Sequence, residues 1–111
     1  MPQFTCTTAL TVYAITNLNV KPTRVAVYIT NEDDTAVVRV DTDSEGVKTS
    51  LPLYPKDTAV FLMAEGDETD QQWYAYSDTN GAVLSWNERI MSRERAELTI
   101  GIFKGLRVAL P

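Results

Sequence analysis

The chain contains no histidine and only one cysteine, Cys6. Without histidine, neither a Ser-His-Asp triad nor a Cys-His pair can form. A single cysteine excludes an intrachain disulfide, and it also excludes a zinc site of the CxxC or Cys/His type. Cys6 lies on the same face of its predicted strand as the alternating apolar residues, which indicates a small core residue rather than a nucleophile. Phosphate-binding glycine motifs are also missing. We therefore expect no enzymatic activity, no cofactor and no bound metal.

Long apolar runs and basic clusters are missing as well. No run approaches the ~20 residues that a membrane-spanning helix needs, and the N-terminal stretch MPQFTCTTALTV lacks the basic start of a signal peptide. The net charge is −5, and residues 31–78 carry 12 acids against 3 bases. Nucleic-acid binding needs a basic surface that displaces counterions. The sequence therefore predicts a protein that is made in a cytoplasm and binds neither membranes nor nucleic acid.

What the chain does contain is alternating apolar residues between short turns, which is typical of β-strands. The clearest case is Arg24–Asp41, which reads as two strands joined at Asn31–Asp34. Pairing Thr30 with Thr35 predicts a hairpin with a four-residue loop and one apolar face. That face would pair Ile29 with Ala36, Val27 with Val38, and Val25 with Val40.

A second hairpin is predicted around Asn80-Gly81, because both residues tolerate the positive φ of a type I′ turn. It would join Gln71–Ser77 to Ala82–Trp86 and place Ala75 opposite Trp86. Thr58–Ala64 has apolar residues at both odd and even positions, which indicates a strand that is covered on both sides or a central strand. Further strands are predicted at Phe4–Ile15, Val47–Leu53 and Ala96–Phe103.

Together these segments predict one all-β domain over residues 1–111. Its expected architecture is an antiparallel β-sandwich or small barrel of about eight strands. At most one short helix is expected, near residues 87–94, where Asn87 is a possible N-terminal cap.

The acidic turn Asp41-x-Asp43-x-Glu45-Gly46 matches the first half of a calcium-binding EF-hand loop. The position of the bidentate glutamate, however, is occupied by Pro52, which has no ligating side chain. The sequence therefore favours a solvated turn over a calcium site, and it leaves open whether Asp33-Asp34 or Glu65–Asp70 approaches this turn in space.

Aromatic residues are concentrated in the second predicted hairpin. Trp73 and Tyr74 would face opposite sides of a strand, so one aromatic face is predicted to be exposed, as at many protein interfaces. Sugar binding by an exposed tryptophan is the alternative. The apolar tail Gly101–Pro111 either closes its own sheet or extends onto a neighbour. The predicted interface residues are Trp73, Tyr74, Tyr76, Trp86, Phe103, Leu106, Val108 and Leu110.

Three stretches, Val27–Asn31, Val38–Val40 and Leu51–Asp57, resemble small β-domains in virion proteins of tailed bacteriophages. The resemblance covers about residues 25–64. It implies a non-enzymatic capsid decoration or cement protein that stabilises the phage head. The alternative is a head–tail connector or a tail or fibre module, with glycan binding as one form of it. The implied partners are the major capsid protein or other virion proteins and further copies of the chain. Assembly in the host cytoplasm and a final location in the virion are implied too.

Overall fold

A computed structural model describes residues 2–91. Within that range the protein is all-β, with two antiparallel sheets of four strands that do not close into a barrel. The predicted β-sandwich is therefore confirmed, and the barrel alternative is not. The strands are β1 (Gln3–Cys6), β2 (Val12–Ala14), β3 (Arg24–Asn31), β4 (Val38–Asp41), β5 (Pro52–Leu53), β6 (Thr58–Leu62), β7 (Tyr74–Ser77) and β8 (Ala82–Ile90). The strand order is β1-β8-β3-β6 in sheet A and β2-β7-β4-β5 in sheet B.

The core lies between the two sheets and is built largely from alternate residues of the strands. In β7, for example, Ala75 and Ser77 are buried while Tyr74 and Tyr76 are half-buried on the opposite face. Burial of such apolar side chains is the main force that holds two sheets together. The buried apolar cluster consists of Cys6, Ile15, Leu18, Val27, Ile29, Ala36, Val38, Val40, Leu53, Trp73, Ala75, Ala82, Leu84 and Trp86.

The predicted hairpin over Arg24–Asp41 is wrong, because β3 and β4 belong to different sheets. β3 already has β8 on one side and β6 on the other. The connection instead crosses the sandwich as an arch, and the buried side chain of Asn31 holds it. The Asn31 Nδ2 group donates to the carbonyls of Ala36 at 2.8 Å and Leu53 at 3.0 Å. Four of the five valines and isoleucines assigned to the apolar face are nevertheless buried: Val27, Ile29, Val38 and Val40.

The fifth, Val25, is only half-buried because the pairing of β3 with β8 shifts register between Arg24 and Ala26. This β-bulge turns Arg24 inward, where its side chain is fully buried. Its ion-pair partner is Glu88, which lies on β8.

The predicted hairpin at Asn80-Gly81 is also wrong, since β7 lies in sheet B and β8 in sheet A. Gly81 has the expected positive φ of 76°, but Asn80 does not, so the type I′ geometry is not formed. The turn is tied to the first strand instead. The Gly81 N–H donates to the Cys6 carbonyl at 2.8 Å, and the Ala9 N–H donates to Asn80 Oδ1.

Two single strands of the prediction are each divided in the structure. Phe4–Ile15 splits into β1 and β2, which join different sheets, and Leu10 between them has a φ of 57°. Val47–Leu53 forms a 3₁₀ turn at Gly46–Thr49 and the two-residue β5. Tyr54–Asp57 forms a turn in which the Asp57 N–H donates to the Tyr54 carbonyl at 3.0 Å, with Pro55 at position i+1.

The segment Thr58–Ala64 was predicted to be central or covered on both sides, and that prediction is wrong. β6 spans Thr58–Leu62 at the edge of sheet A, and Val60 is 50% exposed. A 3₁₀ turn at Met63–Glu65 follows it. Residues 87–90, considered for a short helix, belong to β8, and residues 92–94 lie outside the described part of the chain.

Candidate functional surfaces

The two tryptophans proposed for an interface lie in the core. Trp73 is 3% exposed and Trp86 is 7% exposed. The ring of Trp73 packs against Phe61 with the centroids 4.4 Å apart. The predicted opposite orientation of Trp73 and Tyr74 is therefore present, and the outward member is Tyr74. The glycan-binding interpretation needs an exposed indole, and neither indole is available.

Tyr74 and Tyr76 lie on the outer face of sheet B because Ala75 between them points into the core. The pairing of β7 with β4 places Arg39 beside Tyr76 and Asp41 beside Tyr74. The next pairing places Pro52 of β5 beside Arg39. We call the surface formed by Arg39, Pro52, Tyr54, Tyr74 and Tyr76 the tyrosine face.

Arg39 is held in place within this face. Its Nη1 donates to the carbonyl of Ser50, which fixes the guanidinium beside Pro52. A shallow depression of about 270 Å³ lies next to it, lined by Val37, Arg39, Pro52, Tyr54, Tyr76 and Asp78. Tyr54 is 55% exposed at its rim. Tyrosine and arginine are the residue types that most often dominate protein–protein binding energy, so this arrangement is suited to a protein partner.

Arg39 and Tyr54 were not predicted as interface residues. The alternation of β4 already indicated that Arg39 points away from Val38 and Val40. What no local pattern indicated is that β4 pairs with β7, and only that pairing places a cation next to Tyr76.

A second feature is the groove along one side of the sandwich, between the edge strands β5 and β6. It has a volume of about 600 Å³. Its lining is largely apolar, and both of its charged residues are acids. We call it the lateral groove; it is lined by Val40, Asp41, Ser50, Leu51, Pro52, Leu53, Asp57, Thr58, Ala59 and Phe61.

The most elaborate polar cluster surrounds Arg24, whose side chain is fully buried. Its Nε donates to Glu88 Oε2 at 2.8 Å, and its two Nη groups donate to the carbonyls of Asn19, Thr69 and Gln71. Lys21 Nζ donates to the other oxygen of Glu88 at 2.8 Å. Burial alone would raise the pKa of Glu88, but the hydrogen bonds and charges of Lys21 and Arg24 outweigh it and lower that pKa. These bonds connect Asn19, Lys21, Thr69 and Gln71 to β3 and β8, so the cluster joins loops to sheet A.

Cys6 is fully buried, and burial raises the pKa of its thiol to about 11. A thiol in this state is protonated near neutral pH and is a poor nucleophile. Its position in β1, facing the core, agrees with the role of a small packing residue that the sequence indicated.

The acidic turns are organised mainly by their own backbone. Asp43 Oδ1 accepts the Glu45 N–H at 3.0 Å, and Asp33 Oδ2 accepts the Ala36 N–H at 2.8 Å and the Thr35 N–H at 3.1 Å. These hydrogen bonds, that from Ala36 first, lower the pKa of Asp33. The turn at Asp43 does approach the second acidic loop, since Thr42 Oγ1 donates to Glu68 Oε2 at 3.0 Å. Among residues 2–91, no three acidic or cysteine side chains converge as metal ligands would.

The remaining predicted interface residues, Phe103, Leu106, Val108 and Leu110, lie outside the described residues. Within residues 2–91, no helix has the length and apolar character to cross a membrane. Comparison of the whole chain with protein-family models, curated proteins and solved structures finds no match.

Proposed function

We infer that this protein is a non-enzymatic structural subunit that acts through its surface, as a capsid decoration or cement protein of a tailed bacteriophage. The observation that carries the proposal is the tyrosine face, where Arg39, Tyr54 and Tyr76 line a depression on the outer face of sheet B. Sheet faces held by a packed core bind with little loss of conformational entropy. The resemblance of residues 25–64 to virion β-domains supplies the phage assignment.

The chemistry of the described residues supports a binding role over a catalytic one. The thiol of Cys6 is buried and protonated, and the buried ion pair of Arg24 and Glu88 is fully occupied in holding loops. The tyrosine face, in contrast, offers aromatic rings and a guanidinium to a partner. We propose the major capsid protein as that partner, with further copies of this chain bound around it.

The test is sedimentation of the purified full-length protein with phage heads that lack it. We expect binding by the unmodified protein and at least ~10-fold weaker binding by Tyr76→Ala, since loss of a central tyrosine costs about 2 kcal/mol or more at an interface. The matched control is Tyr28→Ala, because Tyr28 is also half-buried but lies on the outer face of sheet A. Absence of binding to heads, or equal losses for both variants, would contradict the proposal.

A further inference from the structure

Asn80-Gly81 is the only Asn-Gly pair in the chain, and it lies in the turn between β7 and β8. In such a pair, the backbone nitrogen of the glycine can attack Cγ of the asparagine side chain. The attack closes a succinimide ring and releases ammonia, and water then opens the ring to give aspartate or isoaspartate. Glycine favours this deamidation because no β-carbon shields its nitrogen. Asn80 is exposed, so water reaches the pair.

The fold holds both reacting groups in hydrogen bonds. The Gly81 N–H donates to the Cys6 carbonyl at 2.8 Å and makes a longer contact of 3.2 Å with the Thr7 carbonyl. Asn80 Oδ1 accepts the Ala9 N–H at 2.6 Å. The Gly81 nitrogen must lose its proton before it attacks, and that proton is bound to the Cys6 carbonyl. Ring closure also draws Cγ to bonding distance of the nitrogen, which displaces Oδ1 from its position beside Ala9.

The groups that hold the pair belong to the end of β1 and to residues 7–11, which link β1 to β2. This β1–β2 link is itself fixed at two further points. The Thr8 N–H donates to Tyr13 Oη at 3.0 Å, and the Leu10 N–H donates to the Ser77 carbonyl at 2.8 Å. The reaction therefore needs an opening of the link, in which these contacts break together.

We propose that Asn80 is a latent deamidation site, which the β1–β2 link keeps unreactive in the native protein and releases when it opens. The native rate is then the rate in the open chain multiplied by the fraction of molecules that are open, since local opening precedes such chemistry. The isoaspartate product adds a methylene to the backbone beside the pairing of Cys6 with Ala82. It should therefore displace the Gly81 N–H from its carbonyl. This chemistry is independent of any capsid partner.

Mass spectrometry of the full-length protein measures the reaction, because deamidation replaces NH₂ by OH and raises the mass. Trypsin releases residues 57–89 as one peptide, which also contains Asn87 as an internal reference, followed by the bulkier Glu88. We expect Asn80 to deamidate at least ~10-fold more slowly in the native protein than in guanidinium chloride at the same pH and temperature. Equal rates in the two states, or a faster native reaction, would overturn the proposal.

Tyr13→Phe tests the role of the β1–β2 link without changing Asn80. It removes the hydroxyl that accepts the Thr8 N–H and keeps the ring that packs edge-on against Phe4, with the centroids 6.1 Å apart. We expect the native rate to rise about 2–5-fold, because one exposed hydrogen bond is lost, and the rate in denaturant to stay the same. The matched control is Tyr28→Phe, which removes a hydroxyl from the outer face of sheet A and should change neither rate. An unchanged native rate in Tyr13→Phe, or an equal increase in both variants, contradicts the proposal.

Gly81→Ala tests the chemical route. An added β-carbon meets no atom within 4 Å, so the variant should fold, at the cost of the strain that a φ of 76° imposes on alanine. In denaturant, the same β-carbon shields the attacking nitrogen and should slow deamidation of Asn80 at least ~10-fold. An unchanged rate would show that water attacks the amide directly, and the route through the Gly81 nitrogen would be wrong.

Discussion

Replacing Arg24 by methionine removes the centre of the buried polar cluster while it keeps an unbranched side chain in place. Arg24 has no exposed surface. Its guanidinium donates to Glu88 and to three backbone carbonyls that belong to Asn19, Thr69 and Gln71. The substitution therefore leaves one carboxylate and three carbonyls without their donor.

The expected cost is about 4 kcal/mol of unfolding free energy. Removing one member of a buried ion pair typically costs about 3–5 kcal/mol. Loss of the buried hydrogen bond to the Thr69 carbonyl adds about 1–3 kcal/mol, whereas the bonds to Gln71 and Asn19 are only partly buried, so water can replace them. The remaining bond from Lys21 to Glu88 keeps the total at the lower end of that sum. Since small domains are stable by only about 5–15 kcal/mol, the variant should be close to unfolding.

The assay is equilibrium unfolding in urea, followed by the fluorescence of the two buried tryptophans. The matched control is Lys21→Met, which removes a cation from the same carboxylate but from a side chain that is 34% exposed. It should cost at most about 1 kcal/mol. A double-mutant cycle with Glu88→Gln should give a coupling of about 1–3 kcal/mol. If Arg24→Met destabilised the protein no more than Lys21→Met, the reasoning would be refuted.

Three further predictions concern single groups. The pKa of Glu88 is lowered in the folded protein from its ordinary value of 4.5, so its contribution to stability is complete above that pH and declines as the pH falls below it. Glu88→Gln should therefore show a shallower loss of stability in acid, and an unchanged acid profile would contradict this. The Cys6 thiol, with a pKa of about 11, should not react with a thiol reagent at pH 8 until denaturant is added, and rapid labelling of the native protein would argue against its burial. Asn31→Ala removes two hydrogen bonds that hold the arch between the sheets, and it should cost about 2–3 kcal/mol in urea unfolding; a loss below half of that would show that water replaces the amide.

The sequence predicted the buried faces of the strands better than their partners. Val27, Ile29 and Val38 were assigned to a core face and are buried there. Their strands do not pair, however, because an arch between two sheets places alternating residues in the core just as a hairpin does. Alternation with a period of two residues therefore predicts which face of a strand is buried, but it does not predict which strand pairs with it.

The buried polar residues were the least predictable part of the fold. Arg24 is buried through a bulge in β3 and through acceptors on three other segments, including Glu88 and Thr69. Nothing near Arg24 in the sequence indicates those partners. Asn31 was predicted to be a turn residue, but it is the last residue of β3 and its amide is buried between the sheets.

The candidate binding surface was predicted in part. Alternation placed Tyr74 and Trp73 on opposite faces, which the structure shows, but it did not reveal which face is solvent-exposed. The core contains Trp73 because Phe61, on a strand of the other sheet, packs against its ring. The neighbours of Tyr76 come from strands distant in sequence, so the tyrosine face as a unit follows only from the sheet order.

The sequence distance between paired strands determines when this protein can fold. Of the observed strand pairs, only β4 with β5 joins consecutive strands, while β1 pairs with β8 and β2 with β7. Sheets built from such distant pairings form slowly, because long loops must close before any contact stabilises them. β8 lies inside sheet A, between β1 and β3, and it is the last described strand to be synthesised. Sheet A therefore cannot assemble on the ribosome until β8 has left the exit tunnel, and β1 has no strand partner in sheet A until then.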